Sequence, residues 1–260
     1  IIIEAMRRAY RDRAAYLGDS DFVDIPINRL LDKNYAEGLA LTIDTNRITP
    51  SKELGTIAVT NSTGKNTTHF SVLDKYGNRV ASTLSINLPF GSGFVVEGTG
   101  VLLNNEMDDF TIKPFTANTY GLVGYQANTI HPGKRPLSSM TPTFVESGDR
   151  IGILGTPGGS RIISMVLLAI LDFAAGELPE SWVNLPRYHH QYIPDLVQYE
   201  KGGLSKDEKR KLILKGHKLK EIKRRYGNMQ AIMLWKRRNT NFVASDPRGE
   251  GTAEIINFYQ

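Results

Sequence analysis

Cysteine is absent from all 260 residues. That absence removes disulfides, thiolate metal sites and a cysteine nucleophile from consideration. Long apolar runs are missing too. The longest, "IISMVLLAIL" at 162–171, has ten residues, about half of what a membrane-spanning helix needs, and predicts a buried helix instead. No secretory leader is visible in the opening "IIIEAMRRAYRDRAAYLGD", which reads from its start as an amphipathic helix over 2–17 stopped by Gly18. Acid is scarce between Lys201 and Arg238. There, 14 Lys and Arg face three acids, a local excess of +11 in a chain of net charge +5. The remainder is acidic on balance, and no nucleic-acid motif accompanies the basic stretch, so it reads as a solvated face.

What is present suffices for a folded core, since 40% of the residues are hydrophobic. A second helical stretch is predicted over 28–45. Residues 46–66, "NRITPSKELGTIAVTNSTGKN", lose helical periodicity and collect Pro, Gly, Ser, Thr and Asn, which predicts an exposed, flexible connector. "TTHFSVLD" and "RVASTLSIN" read as two strands joined through "KYGN", whose Gly and Asn suit a tight turn. "RIGILG" predicts a buried strand, and "TPGGSRIISMVLLAILDFAAG" turns from glycines into an apolar helix ending near Gly176. Ser205 and Glu208 have capping-box spacing for a basic helix over 206–215. "HKLKEI", "MQAIMLW" and "NTNFVASD" supply three more strands. Strands, then helices, then strands predict an α/β or α+β domain rather than a doubly wound one.

Thr67 opens the first strand directly after the connector. A threonine hydroxyl is a poor nucleophile without a base, and one available base is the residue's own α-amine. That amine titrates at about 8, and it exists only if the 66–67 peptide bond is broken. Taken alone, a Thr after Asn at a strand start is ordinarily structural. Likewise "NNEMDD" taken alone is a solvated acidic turn, and "PGGS" before a helix is a turn and cap.

The ordered set "RDRAAYLGD", "TTHFSV", "GNRVAS", "FGSG", "GVLLNNEMDDF", "KRPLSSMTPT", "GTPGGSRI", "PRYHHQ" and "ASDPR" resembles the γ-glutamyltransferase family of N-terminal-nucleophile hydrolases. The resemblance runs over essentially the whole chain. It implies an α+β fold, a four-layer αββα sandwich, with the 2–17 and 162–175 helices as covering layers. It also implies a precursor that cuts itself between Asn66 and Thr67. Residues 1–66 would then be the end of a large subunit and 67–260 the small, catalytic subunit, paired with the remainder of the large subunit.

On this resemblance Thr67 is the nucleophile and Ser85, a Thr in many relatives, is the hydroxyl that supports it. Gly158 and Gly159 would supply the oxyanion donors. Asn87, Glu106 and Asp109 match positions that hold a substrate α-amino group, as an ammonium requires. Ser138 and Ser139 match hydroxyls on the α-carboxylate, a contact that an arginine of the large subunit completes in the family; Arg7, Arg8 and Arg11 are not assigned to it. The segment 114–124 matches a lid with Tyr120 as its gating residue. His189 and His190, adjacent in sequence, point to opposite faces of an extended segment and read as structural, as do Arg187 and Asp246. The implied substrates are glutathione and other γ-glutamyl compounds, with water, amino acids or peptides as acceptors, no metal and no cofactor. The implied location is periplasmic or extracellular. A related glutaryl acylase, a poly-γ-glutamate processing enzyme and a catalytically silent unprocessed or truncated precursor are the alternatives that stay open.

Overall fold

The computed structural model describes residues 1–55, 67–114, 116–223 and 225–256. The described chain is α+β, and it divides into two compact units, each discontinuous in sequence. The first gathers residues 1–64, 105–138 and 188–222, and the second gathers 65–104, 139–187 and 223–260.

In the second unit, two strands, β1 (Thr67–Leu73) and β2 (Arg79–Ser85), form an antiparallel hairpin. Alternation by two puts Thr67, His69 and Ser71 on one face, opposite Ser85, Thr83 and Ala81. Asp74 closes the turn by accepting from the N–H groups of Tyr76 and Asn78, each at 2.8 Å. The inner face of the hairpin lies on a four-stranded antiparallel sheet ordered β3–β4–β8–β9. Its strands are β3 (Thr143–Ser147), β4 (Arg150–Gly155), β8 (Gln230–Trp235) and β9 (Thr240–Ser245). Helices α4 (Ile162–Ala175) and α5 (Pro179–Asn184) pack against the same sheet. β4 is buried from Ile151 onward, with Ile151, Ile153 and Leu154 at most 1% exposed, as expected of a strand covered on both faces. Helix, sheet and hairpin are three successive layers of the expected αββα stack. α4 ends as predicted at Gly176, whose left-handed backbone (φ 102°) lets Glu177 N–H reach the carbonyl of Asp172 at 3.1 Å. Phe173 and Trp182 meet edge to face at 5.6 Å to join α4 and α5.

In the first unit, α1 (Ile2–Tyr16) buries Ile3, Met6, Tyr10 and Ala14 at helical spacing. The same helix buries Glu4, Arg7 and Arg8, which costs stability unless they are paired. They are: Arg8 meets Glu4 at 2.7 Å, Arg7 meets Glu4 at 3.1 Å and pairs with Asp195, and Arg7 reaches Ser51 Oγ at 2.8 Å. Asp195 in turn accepts from the Ser51 N–H at 2.8 Å and meets His190 Nε2 at 3.2 Å. Ser51 also donates to the carbonyl of Tyr192 at 2.6 Å. Residues 48–53 are therefore tied down, unlike the loose connector expected from composition, because Ser51 closes this buried ion-pair cluster. The rest of that connector, 56–66, lies outside the described residues.

The helix expected over 28–45 is two helices, α2 (Ile27–Leu30) and α3 (Lys33–Leu41). Asp32 separates them because its carboxylate accepts from the N–H groups of Asn34 and Tyr35, a cap that starts a new helix. Gly18 is not the stop of α1 either; Leu17 already turns extended. Glycine is needed there because a Cβ would lie 2.2 Å from the carbonyl oxygen of Ala127. The unit is completed by β5 (Tyr188–His189), β6 (Val197–Glu200), α6 (Lys206–Leu214) and β7 (Leu219–Ile222). β5 runs antiparallel to β6, and α6, opened by the predicted Ser205–Glu208 capping box, connects β6 to its parallel neighbour β7.

Candidate active site

Thr67 and Ser85 form the last rung of the hairpin, directly opposite one another. Thr67 Oγ1 donates to Ser85 Oγ at 3.2 Å, and the same oxygen accepts the backbone N–H of Asn87 at 2.8 Å. Ser85 thus spends both lone pairs as an acceptor. Asn87 is buried at 1% exposure and sits in the left-handed region, φ 69°, a conformation Asn tolerates better than other side chains. Thr67, Ser85 and Asn87 are therefore one hydrogen-bonded group at one end of the hairpin. Asn66 lies outside the described residues.

Two residues on from Thr67, the ring of His69 rests on Gly155. A Cβ at Gly155 would come within 2.2 Å of His69 Cε1. His69 bonds Thr83 Oγ1 at 2.8 Å and Ser71 Oγ at 3.1 Å, and its burial lowers its pKa to about 4. This packing brings the start of β1 and the end of β4 to the same edge of the stacked sheets. The segment leaving β4 at that edge carries Gly158 and Gly159, both with positive φ, 150° and 58°. A Cβ at Gly158 would meet Met165 Cε at 2.5 Å, so glycine satisfies backbone conformation and packing together. The turn runs directly into α4, whose partial positive N-terminus favours developing negative charge.

The first unit holds the acidic turn. Glu106, Asp108 and Asp109 share one 3₁₀ turn, Glu106–Asp109. Asp108 accepts the N–H of Thr119 at 2.9 Å; Asn118 Nδ2 lies 3.4 Å from Asp109 Oδ1. Asn128 donates to the carbonyl of Asp109 at 2.7 Å and accepts the N–H of Leu137 at 3.0 Å, tying the turn to the segment that leads into Ser138. Burial, and next the charge of Glu106, push the Asp109 carboxyl up to about 7, against the opposing pull of Arg13. Arg13, Asp109 and Asn118 line a common cavity of about 20 Å³, room for about one water. Tyr120 is 9% exposed; its N–H donates to Asn118 Oδ1 at 3.0 Å, and its carbonyl accepts from Gln191 Nε2 at 3.2 Å. Its phenol is held above the ordinary range by burial and by Asp109, Glu106 and Asp108. Phe115, in the same expected lid, lies outside the described residues.

The unit boundary falls between Ser138, which is exposed, and Ser139, which is buried. The histidine pair is engaged on its own side: His189 Nε2 bonds Gln191 Oε1 at 2.8 Å, and His190 Nδ1 accepts the Tyr192 N–H at 3.1 Å. Arg187 pairs with Asp246 in the buried interior of the second unit. Arg13, Asn118 and Asn128 are the residues around the acidic turn that the sequence reading passed over. The signal for Arg13 was its place in "RDRAAYLGD" on a face otherwise apolar.

The gamma-glutamyltranspeptidase family model matches residues 1–256. The chain is 45% identical over 250 residues to the glutathione hydrolase proenzyme of Escherichia coli K12, covering 95% of this chain and 43% of that one. Among solved structures, an acivicin-inhibited gamma-glutamyltranspeptidase aligns with a TM-score of 0.67 at 43% identity, over 71% of this chain and all of that one. Cephalosporin acylase from Bacillus halodurans aligns with a TM-score of 0.74 over 99% of this chain and 44% of that one. At 22% identity the acylase shares the fold alone. The chain spans less than half the length of the glutathione hydrolase proenzymes it matches.

Proposed function

The chain belongs to the gamma-glutamyltranspeptidase family, and from that membership we propose that it carries the nucleophile-bearing part of a glutathione hydrolase. The observation that carries the reading is the Thr67–Ser85–Asn87 group at the end of the hairpin. In the precursor, the Thr67 hydroxyl adds to the carbonyl carbon of Asn66. The C–N bond breaks, which frees the Thr67 amine and leaves an ester on its hydroxyl; water hydrolyses that ester, releasing the Asn66 carboxylate and restoring the hydroxyl. That division makes residues 67–260 the small subunit. Its support is that about seven-tenths of this chain matches the solved transpeptidase chain from end to end.

In turnover, the freed amine takes the hydroxyl proton as Thr67 Oγ1 attacks the γ-amide carbon of a glutamyl substrate. The N–H groups of Gly158 and Gly159 stabilise the oxyanion; one such donor contributes roughly 3–4 kcal/mol in other hydrolases. The proton passes to the leaving amine, and the γ-glutamyl ester goes on to water or to an amino acid or peptide. Asn87, Glu106 and Asp109 hold the substrate ammonium and Ser138 and Ser139 its carboxylate, with Tyr120 on the lid. The remainder of a large subunit is the partner, and export to the periplasm or beyond accompanies the reading. No helix among the described residues is long and apolar enough to cross a membrane.

The test is expression of the full-length precursor as wild type and Thr67→Ala. Wild type is expected as two unequal subunits, one beginning at Thr67, with turnover of γ-glutamyl anilide far above glutaryl anilide. Thr67→Ala is expected as one uncut, inactive chain. An active enzyme whose 66–67 bond is intact overturns the mechanism, and preferred glutaryl turnover moves the assignment to the acylases.

A further inference from the structure

We propose that Arg13 is a positioning residue for the acidic turn: its guanidinium, lining the same small cavity as Asp109, favours the carboxylate form of that side chain and so sets the pH at which the site accepts an ammonium. The inference rests on the reading of Asp109 as a contact for the substrate α-amino group. Arg13 stands in the last turn of α1, one turn on from buried Tyr10. That turn is fixed against the 105–138 segment: the carbonyl of Ala14 accepts the Tyr125 N–H at 3.3 Å, and Gly18 abuts the carbonyl of Ala127. Among the described residues lining the cavity shared with Asp109, Arg13 is the cation.

Three carboxylates on one short turn repel one another, and burial raises the cost of ionising any of them. The charged and titratable groups facing Asp109 are Glu106 and Asp108 on its own turn, Arg13 on α1, and Tyr120 on the following loop. Tyr10 faces Arg13 on the same helix. Burial and the Glu106 charge favour the protonated form of Asp109, while Arg13 opposes them. A neutral Asp109 cannot pair with an ammonium, so Arg13 acts on donor affinity through the carboxylate. A like charge from Arg13 beside the ammonium is the cost of this arrangement, and two neighbouring acids outweigh it.

The test uses the processed full-length enzyme, with KM and kcat for γ-glutamyl anilide measured between pH 5.5 and 9. In Arg13→Gln the midpoint of the KM profile is expected to rise by about one pH unit or more, the displacement expected on losing an adjacent opposite charge. At pH 7, KM should then rise about fivefold for a one-unit displacement, with a much smaller change in kcat. Arg13→Lys should restore the wild-type midpoint. In an Asp109→Asn background, Arg13→Gln should shift no midpoint. Equal losses in kcat and kcat/KM with unmoved midpoints would make Arg13 merely structural and overturn the proposal. Should the Gln variant not fold, Arg13→Lys decides: a displaced midpoint despite the retained charge counts against it. Wild type without γ-glutamyl turnover would instead sink the functional reading.

Discussion

Removing one oxygen at Ser85 tests the nucleophile assignment more sharply than removing the nucleophile. Ser85→Ala deletes two hydrogen bonds of different weight. The bond from Thr67 is long for a hydroxyl pair, 3.2 Å against a usual ~2.7–2.8 Å. Its loss should cost about 1 kcal/mol of orientation, roughly fivefold in kcat/KM. The Asn87 N–H at 2.8 Å is the stronger partner, and Asn87 is buried. Withdrawing that acceptor should cost about 1–3 kcal/mol of stability, or some 2–12 °C in Tm at roughly 2–4 °C per kcal/mol for a chain of this size. Ser85→Thr keeps the oxygen and adds a methyl that restricts χ1, so it should hold both activity and Tm near wild type. The assays are scanning calorimetry, γ-glutamyl anilide kinetics and the rate of subunit formation from fresh precursor. If Ser85→Ala lowers Tm yet leaves processing and kcat/KM unchanged, the Ser85 hydroxyl does not support the nucleophile. The site would then have to be rebuilt around another group.

The second unit was the more legible in sequence. Its strands announce themselves by alternation, and "KYGN" fixes their register, since a slip by one residue would turn Thr67 and His69 outward. The apolar run of α4 and its terminal glycine were equally plain. β3 escaped notice because five residues ending in "ES" resemble a loop until β4 pairs with them. β5 is only two residues long and exists through its pairing with β6. Asp32 could have been read as a cap, but the apolar pattern on either side ran past it. At the site, the proposal that Thr67 is more than strand filler came from the ordered motifs and not from local chemistry. The acids of the turn could be picked out because they adjoin in sequence. Arg13 stood out only as a charge on an otherwise apolar face, and its partner was hidden, because the neighbourhood with Asp109 is made only when α1 packs on the 105–138 segment.

Further outcomes follow from packing and charge. Gly155→Ala forces a methyl into the His69 ring; overpacking should cost about 1–3 kcal/mol in urea denaturation and slow subunit formation, since β1 must shift. An unchanged urea midpoint would contradict the contact. Asp246→Ala strips Arg187 of its carboxylate and the N–H groups of Met229 and Arg248 of their acceptor. Loss of that buried pair should cost about 3–5 kcal/mol, and a loss below about 1 kcal/mol would refute the packing. Acid should weaken the fold before any carboxylate is titrated in the usual range. Burial lowers His69 and His217 from 6.5 to about 4, and lowers His190 as well. Between those values the unfolded chain binds protons that the folded one refuses, so their stabilisation is complete above pH 6.5 and is lost as pH falls towards 4. Asp109, raised from 3.8 to about 7, has the opposite sign: the folded state holds its proton, and stability grows as pH drops below 7. Three histidines against one carboxyl leave a net decline, at most ~1.4 kcal/mol per pH unit for each uncompensated proton. Urea midpoints at pH 7.5 and 5 measure it. His69→Gln should flatten the decline by about one proton's worth, and Asp109→Asn should steepen it; the reverse pattern would contradict the protonation states assigned to these groups.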